Sequence, residues 1–446
     1  MIAQGSLQSK PAIGLLTTRI RQQILDAMDL GKAAALPQTD LRNQVSALAV
    51  HMCQKQDIPL DGEEESDLVQ HIMDEIYGLG PLQGLMNDPS VTEIVVRGFN
   101  NVQVERDGQR EDTDVSFTDN SHLIRFAQRT ITRLGRRIDE ASPIAEVQLE
   151  DGSVLHAVFP PLSVNGPTLT IRRYGQQHLP MEDMVRLGSL APQMADFLVL
   201  AIQNRANIVF SGIAGSGKTT LLNSVSRFIP DSQRVVTIEQ TAELKLQQSD
   251  VVALQTRSSN VEGKGGVTTT ELLRSAVRVR PDRIVLGETR GEEVLDMLQA
   301  MNSGQHGSMC TTYANDSADA LDRLELMACL SNSDMNTDAV RRYIAKSVDF
   351  VVHTTKLNTG ERKITRISEL RGLHDGDYAF EDVFVYRQNG TDDSFKSAGS
   401  FYATGYAPQS LKTAVGDLVT SQQYRELFVP RELTTGDEYT PFLNNS

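Results

Sequence analysis

A chain of 446 residues, 39% hydrophobic and 23% charged, has the apolar content for folded cores and the length for two or three domains of about 100–200 residues each. Its formal net charge of −15 argues against a protein that coats nucleic acid, because neutralising phosphates takes a basic face. With no tryptophan and only 5% aromatics it also offers little surface for stacking on sugars or bases.

Cys53, Cys310 and Cys329 are widely spaced, show no metal-ligand pattern and read as reduced, packed thiols. The opening MIAQGSLQSKPAIGLL lacks the basic and then apolar pattern of a secretory signal. The longest apolar runs, such as Phe197–Ile202, fall far short of the roughly 20 residues of a membrane span. A cytoplasmic protein is expected.

Residues 1–76 read as a helical region. Ile20, Ile24 and Met28 recur at helical spacing, as do Leu41, Val45, Leu48 and Met52. Residues 77–178 read as a small α+β domain. It has a turn at GLGPLQ, short strands in TEIVVRG, NVQVERDG and EDTDVSF, and an amphipathic helix over Ser121–Leu134. A hairpin in EVQLEDGSVLHAVFPPL turning at Asp151-Gly152 and a strand over Thr168–Tyr174 complete it. Residues 179–190 read as a linker. Residues 191–390 alternate helices with apolar strands at Ile208–Ser211, Val235–Glu239, Val251–Leu254, Ile284–Glu288 and Ser308–Thr312, the pattern of an α/β sheet. Residues 391–446 read as a polar C-terminal tail.

The chemistry starts after the first of those strands. Gly212, Ile213, Ala214, Gly215, Ser216, Gly217, Lys218 and Thr219 satisfy G-x-x-x-x-G-K-[ST] in full, with Thr220 next. An apolar strand precedes the loop, and a helix with Leu221, Leu222, Val225, Phe228 and Ile229 on one face follows it, stopped by Pro230. Glycines in such a loop let backbone N–H groups turn inward around phosphate oxygens, and the helix N-terminus adds partial positive charge. Lys218 is expected to reach the β- and γ-phosphates of ATP, and Thr219 to ligate Mg²⁺.

Hydrolysis also needs a group that orients water. Glu239 and Glu243 follow one strand and Glu288 another, and ligands of open α/β sheets sit beyond the carboxyl ends of the strands. Glu288 is the expected water-positioning base, Glu239 acts on water or Mg²⁺, and Glu243 supports them. His306, which opens the Thr-rich strand, is read as a sensor of the γ-phosphate.

Taken together, the blocks GLGPLQGLMNDPSVTEIVV, GRRIDEASP, PTLTIRR, SGIAGSGKTTLLN, VVTIEQTAEL, VEGKGGVT, VRVRPDRIVLGETRGEEVLDMLQAMNSG and TTYANDSADALDRLE resemble the type II/type IV secretion ATPase superfamily. The resemblance is strongest to its tight-adherence (Tad/Flp, type IVc) pilus assembly branch and runs over residues 15–390. It implies a RecA-like P-loop NTPase domain preceded by a smaller α+β domain, with ATP between them, in a homo-oligomer, a hexamer. Turnover would drive inner-membrane platform proteins that extrude pilin, with no direct nucleic-acid contact and peripheral membrane association through partners. The resemblance supports Lys218, Thr219, Glu239, Glu243 and Glu288 acting on ATP, Mg²⁺ and water. It also implies that Arg172 and Arg173 approach the triphosphate and that Arg278 and Arg280 lie near a subunit boundary.

Departures from the family pattern cluster around the site. Gln240 stands where Asp is usual, Gln305 and Tyr313 stand where the histidine box has histidines, His306 is one place along, and arginines are missing near Gln148 and Val154. These changes leave open a catalytically weakened regulator or scaffold that binds nucleotide. A conjugation or DNA-uptake ATPase of the same superfamily is a third reading.

Overall fold

The computed structural model describes residues 37–55, 62–106, 109–173, 179–257, 259, 264–331, 336–391, 397–411 and 421–434, in two units, Met1–Tyr174 and Gly175–Ser446. The helix expected around Ile20–Met28 lies outside the described residues.

In the first unit, α1 (Gln38–Lys55) packs on α2 (Gly62–Ile76). Its buried row is Leu41, Val45, Ala49 and Cys53, while Leu48, expected inside, is 39% exposed. The row spaced by four, with small Ala49 and Cys53, faces α2 and sets the contact ridge. A 3₁₀ turn at Gly80–Leu82 and α3 (Gln83–Asn87) lead into the sheet. Gly80 has φ +51°, and a Cβ there would meet Glu75 Oε2 at 2.7 Å. Glu75 itself is buried, 3.1 Å from His122 Nε2 and 3.2 Å from Arg129 Nη2, which fixes the helical region to the α+β domain.

Strands β1 (Val91–Arg97), β2 (Val102–Arg106) and β3 (Gln109–Asp112), helix α4 (Asn120–Arg133), and strands β4 (Ile144–Gln148), β5 (Val154–Val158) and β6 (Thr168–Arg172) follow. They build an antiparallel sheet in the order β3-β2-β1-β6-β5-β4. Leu123, Phe126, Ala127 and Ile131 of α4 cluster with Ile94, Val96, Leu155, Leu169 and Ile171 of the sheet. The expected hairpin is present: Gly152 has φ +87°, and the Asp151 carboxylate accepts from Ser153 N at 3.0 Å and Ser153 Oγ at 2.8 Å. In EDTDVSF only Glu111 and Asp112 are in a strand; Phe117 instead drops into the core from a loop held by its N–H on the Phe99 carbonyl.

The second unit runs α5 (Met181–Arg186), α6 (Pro192–Gln203), β7 (Ile208–Gly212), α7 (Lys218–Ser226), β8 (Val235–Glu239), β9 (Val251–Gln255), α8 (Thr269–Arg278), β10 (Arg283–Thr289) and α9 (Glu293–Asn302). It continues with β11 (Met309–Tyr313), α10 (Ser317–Ser331), α11 (Thr337–Ser347), β12 (Phe350–Lys356), β13 (Arg362–His374), β14 (Asp377–Thr391), β15 (Ser397–Ala403), α12 (Ser421–Leu427) and β16 (Arg431–Leu433). One sheet has the order β16-β15-β14-β13-β12-β7-β11-β10-β8-β9. Its parallel part, β12-β7-β11-β10-β8-β9, is RecA-like, and the strands beyond β12 are antiparallel. This gives the expected α/β class, with the five expected strands in it.

Two boundaries differ from expectation. Residues 179–190 are not a bare linker: α5 puts Met181, Met184 and Val185 into the core of the second unit with Leu190. Only three apolar side chains mark this short helix, and the polar run before it masked them. Residues 391–446 are not simply a tail, because β15 and β16 extend the sheet and, with α12, bury Phe401, Leu427, Phe428 and Leu433. Phe428 stacks edge-on to Phe197 of α6 at 6.0 Å, a contact between residues far apart in the chain. No described helix is long and apolar enough to cross a membrane.

Candidate functional site

Because β7, β8, β10, β11 and β12 run parallel, the segments that follow them converge at one end of the sheet. The phosphate loop lies there, between β7 and α7. Gly212 closes β7 with φ +152°, and a Cβ at that position would collide with the Thr354 carbonyl and with Ser216 Oγ. Gly217 caps α7 with φ +96°. Only glycine fits the first position, and the second is strained for any other residue. Gly215 and Ala214 are exposed, Ile213 and Thr219 half-buried, and Thr220 faces solvent.

Lys218 is 8% exposed and donates from Nζ to the Ile213 carbonyl at 3.0 Å, so the ammonium lies across the loop. Burial pulls its pKa below the usual lysine value; Glu288 and Glu243 act the other way, and Arg290 adds to the lowering.

Glu239 ends β8 and is 5% exposed. Its Oε1 accepts the N–H groups of Glu243 and Leu244, both at 2.9 Å, and so shapes the acidic loop. Glu243 is held in turn by α7, since Asn223 Nδ2 donates to its carbonyl at 3.1 Å. Gly287 is glycine for a local reason: a Cβ there would sit 2.9 Å from Glu239 Cγ. Glu288 follows on β10, and its Oε2 accepts from Arg290 Nε at 2.6 Å. The same guanidinium donates from Nη1 to Gln240 Oε1 at 2.9 Å, so Gln240 and Glu288 are tied together through Arg290. Arg290 was not singled out from sequence, although its place two residues after Glu288 was the available signal.

Not every expected residue is brought in. β11 begins at Met309 and pairs with β7 so that Met309 faces Ile208 and Tyr313 faces Gly212. His306 therefore lies before the strand, at the end of the sheet away from the phosphate loop. Its carbonyl accepts from Arg205, and the next residue, Gly307, donates to Asn207 Oδ1 at 2.9 Å. The expected phosphate sensor is corrected on that ground. Tyr313 occupies the loop end of β11 instead, its ring centroid 5.9 Å from Lys218 Nζ and 4.9 Å from the Arg323 guanidinium. Arg172 and Arg173 belong to the first unit. Arg172 is exposed and pairs with Glu93 at 3.3 Å, while Arg173 donates to the carbonyls of Asp88 and Val91.

Three groups from β12 and β13 also reach the loop, unheralded by any motif. Thr354 Oγ1 donates to the Ser211 carbonyl at 3.1 Å and lies 2.9 Å from Ser216 Oγ. His353 Nδ1 is 2.9 Å from Ser211 Oγ, and burial first of all lowers the ring's pKa to about 4, so the imidazole is neutral. Arg362 Nε donates to the Gly215 carbonyl at 2.9 Å.

The donor set fits a nucleotide with Mg²⁺. Thr312 Oγ1, level with Ser211 on β11, is buried and makes no hydrogen bond among the described residues. No three of His, Cys, Asp and Glu among the described residues converge to cage an ion. Mg²⁺ is held mainly through phosphate oxygens and water, and Thr219 and Glu239 are the residues that would complete its shell.

Burial raises Glu239 from 4.5 to about 7, against the two backbone N–H bonds that favour its ionised form. A proton held more tightly in the folded state stabilises the nucleotide-free protein below pH 4.5, and that stability is lost as pH rises through about 7. Mg²⁺ favours the ionised carboxylate. The Mg²⁺ concentration giving half-maximal turnover is therefore expected to fall as pH rises through about 7, and Glu239→Gln is expected to flatten the dependence. Mg²⁺ titrations of phosphate release at a series of pH values read this directly; a wild-type requirement indifferent to pH refutes it.

The family model described as "Type II/IV secretion system protein" matches residues 75–399. A putative conjugal transfer protein of Mycobacterium tuberculosis (strain ATCC 25618 / H37Rv) is 33% identical over 303 residues, 67% of this chain and 86% of that protein. The type IV secretion system protein VirB11 of Brucella suis biovar 1 is 31% identical over 304 residues, 62% of this chain and 84% of that protein. The crystal structure of the VirB11 ATPase from the Brucella suis type IV secretion system in complex with sulphate aligns at 30% identity over 65% of this chain and 93% of that one, with a TM-score of 0.36.

Proposed function

The chain belongs to the type II/IV secretion system protein family, and from that premise we propose that it is an ATP-hydrolysing motor of pilus assembly or secretion, specifically of the Tad/Flp type. One observation carries the reading: Lys218 lies across a complete phosphate loop with Glu288 and Glu243 close enough to act on its charge. In this reading the backbone of Gly212–Thr219 and the Lys218 ammonium hold the phosphates. Glu288 orients the attacking water and takes its proton. Glu239 and Thr219 would hold Mg²⁺, which would supply positive charge against the phosphates. The working form is a hexamer bound at the cytoplasmic face of the inner membrane through platform proteins.

The test combines the purified full-length protein with its platform proteins. Mg²⁺-dependent phosphate release is expected, together with loss of surface pili when the gene is deleted. No hydrolysis under those conditions overturns the motor reading. ATP binding without turnover favours the weakened regulator that Gln240 and Tyr313 suggest. A second motor reading, DNA transfer, draws on the chain's similarity to conjugal transfer proteins. Loss of plasmid transfer with pili intact in the deletion strain selects it over pilus assembly.

A further inference from the structure

The nucleotide reading leaves one charge beside the loop without a role. β12 flanks β7 on the side away from β11, β10 and β8, so its turn approaches the phosphate loop from the side opposite Glu239 and Glu288. The connection from β12 to β13 is tight: Leu357 N donates to the Glu361 carbonyl at 2.8 Å, Gly360 N donates to the Leu357 carbonyl at 2.9 Å, and Lys356 faces Arg362. The next two residues are anchored. Lys363 is buried and donates to the Gly188 carbonyl at 2.9 Å, and Ile364 N donates to the Ser189 carbonyl at 2.8 Å. Arg362 is thus delivered from a rigid base.

Its guanidinium carries five N–H donors in a fixed fork. One of them, on Nε, goes to the Gly215 carbonyl at 2.9 Å, and the stem lies 3.4 Å from where a Cβ on Gly217 would stand. The residue is exposed, and no carboxylate pairs with it among the described residues. The acid of its own turn, Glu361, is engaged by Lys363 Nζ at 3.3 Å and by Thr359 Oγ1 at 3.0 Å. An uncompensated, forked cation is therefore held at the rim of a loop built for anions.

Building on the nucleotide reading, we propose that Arg362 is a nucleotide-binding residue whose free N–H groups take oxygens of the phosphates that stay on the nucleoside diphosphate. The transferred phosphate is handled on the side of Glu239 and Glu288. Arg362 therefore acts on affinity for ADP and ATP alike and not on the chemical step. Lysine at this position keeps the charge but loses the fork.

Calorimetric titration of the full-length protein with ADP tests this, alongside steady-state ATP hydrolysis and thermal melting. Arg362→Ala is expected to weaken ADP binding about 10- to 100-fold and to raise KM for ATP by a similar factor. Arg362→Lys is expected to fall between the two. The melting temperature without nucleotide is expected to stay within about 2 °C of wild type, while the rise caused by ADP shrinks. Unchanged ADP affinity in Arg362→Ala overturns the proposal. So does a nucleotide-free melting temperature that falls in step with affinity, which marks a loop brace only. Absence of ADP binding by the wild type removes the nucleotide reading itself, and this proposal with it.

Discussion

Lys218→Ala is expected to abolish measurable ATP turnover. The lysine is the only cation the loop itself supplies, and its ammonium rests on the Ile213 carbonyl at 3.0 Å with 8% of the residue exposed. Burial disfavours its charge. A phosphate removes that penalty by replacing a neutral carbonyl with a negative oxygen, so the gain on binding is larger than for a solvated lysine. A charge-assisted hydrogen bond contributes about 1.5–3 kcal/mol, and the interaction strengthens further as charge shifts in the transfer. A loss of at least about 100-fold in kcat/KM follows. Truncation also removes a buried charge, so the nucleotide-free protein is expected to melt no lower than wild type. Phosphate release and melting curves on the same preparations check both halves. Turnover near the wild-type rate in Lys218→Ala contradicts the assignment of the loop.

The loop and the parallel strands were legible in sequence because both signals are local. Ile208–Gly212, Val235–Glu239 and Arg283–Thr289 are buried on both faces and so read as short continuous apolar runs, and the loop motif is eight consecutive residues. What supports the loop from its far side was not legible. Thr354 and Arg362 meet Ser216 and Gly215 across 138 and 147 positions of chain, and nothing near either residue marks that pairing. His306 shows the opposite fault. Its place at the opening of the Thr-rich strand suggested the site, but a parallel strand has two ends, and the register of β11 on β7 assigns the loop end to Tyr313. The strands beyond β12 were missed because an antiparallel extension pairs β14 with β15 through residues that alternate apolar with small and polar ones, such as Phe401 beside Ser400.

Gln240 illustrates how a departure from a family pattern is absorbed. Its amide oxygen takes an N–H from Arg290, whose other N–H groups hold Glu288. A neutral acceptor competes more weakly for Arg290 than a carboxylate does, so Arg290 stays with Glu288. The departure thus alters how firmly the proposed base is held and leaves the base itself in place.

Glu288→Gln is expected to separate binding from chemistry. The glutamine keeps the shape and one acceptor oxygen, so Arg290 Nε retains a partner and the end of β10 keeps its course. What is lost is the negative charge and the ability to take a proton from water. Removing a general base costs about 10²- to 10⁴-fold, and that loss is expected in kcat. ADP affinity is expected to hold or improve, because a negative charge near the phosphates is gone. Glu288→Asp draws the carboxylate back by one methylene and is expected to lose rate by misplacement while keeping the charge. Single-turnover hydrolysis and ADP titration on the two variants distinguish these effects. If Glu288→Gln keeps more than about a tenth of the wild-type kcat while Lys218→Ala is inactive, the base lies elsewhere. Glu239 is then the remaining carboxylate at a neighbouring strand end, and its pKa of about 7 predicts a rate that climbs with pH across neutrality.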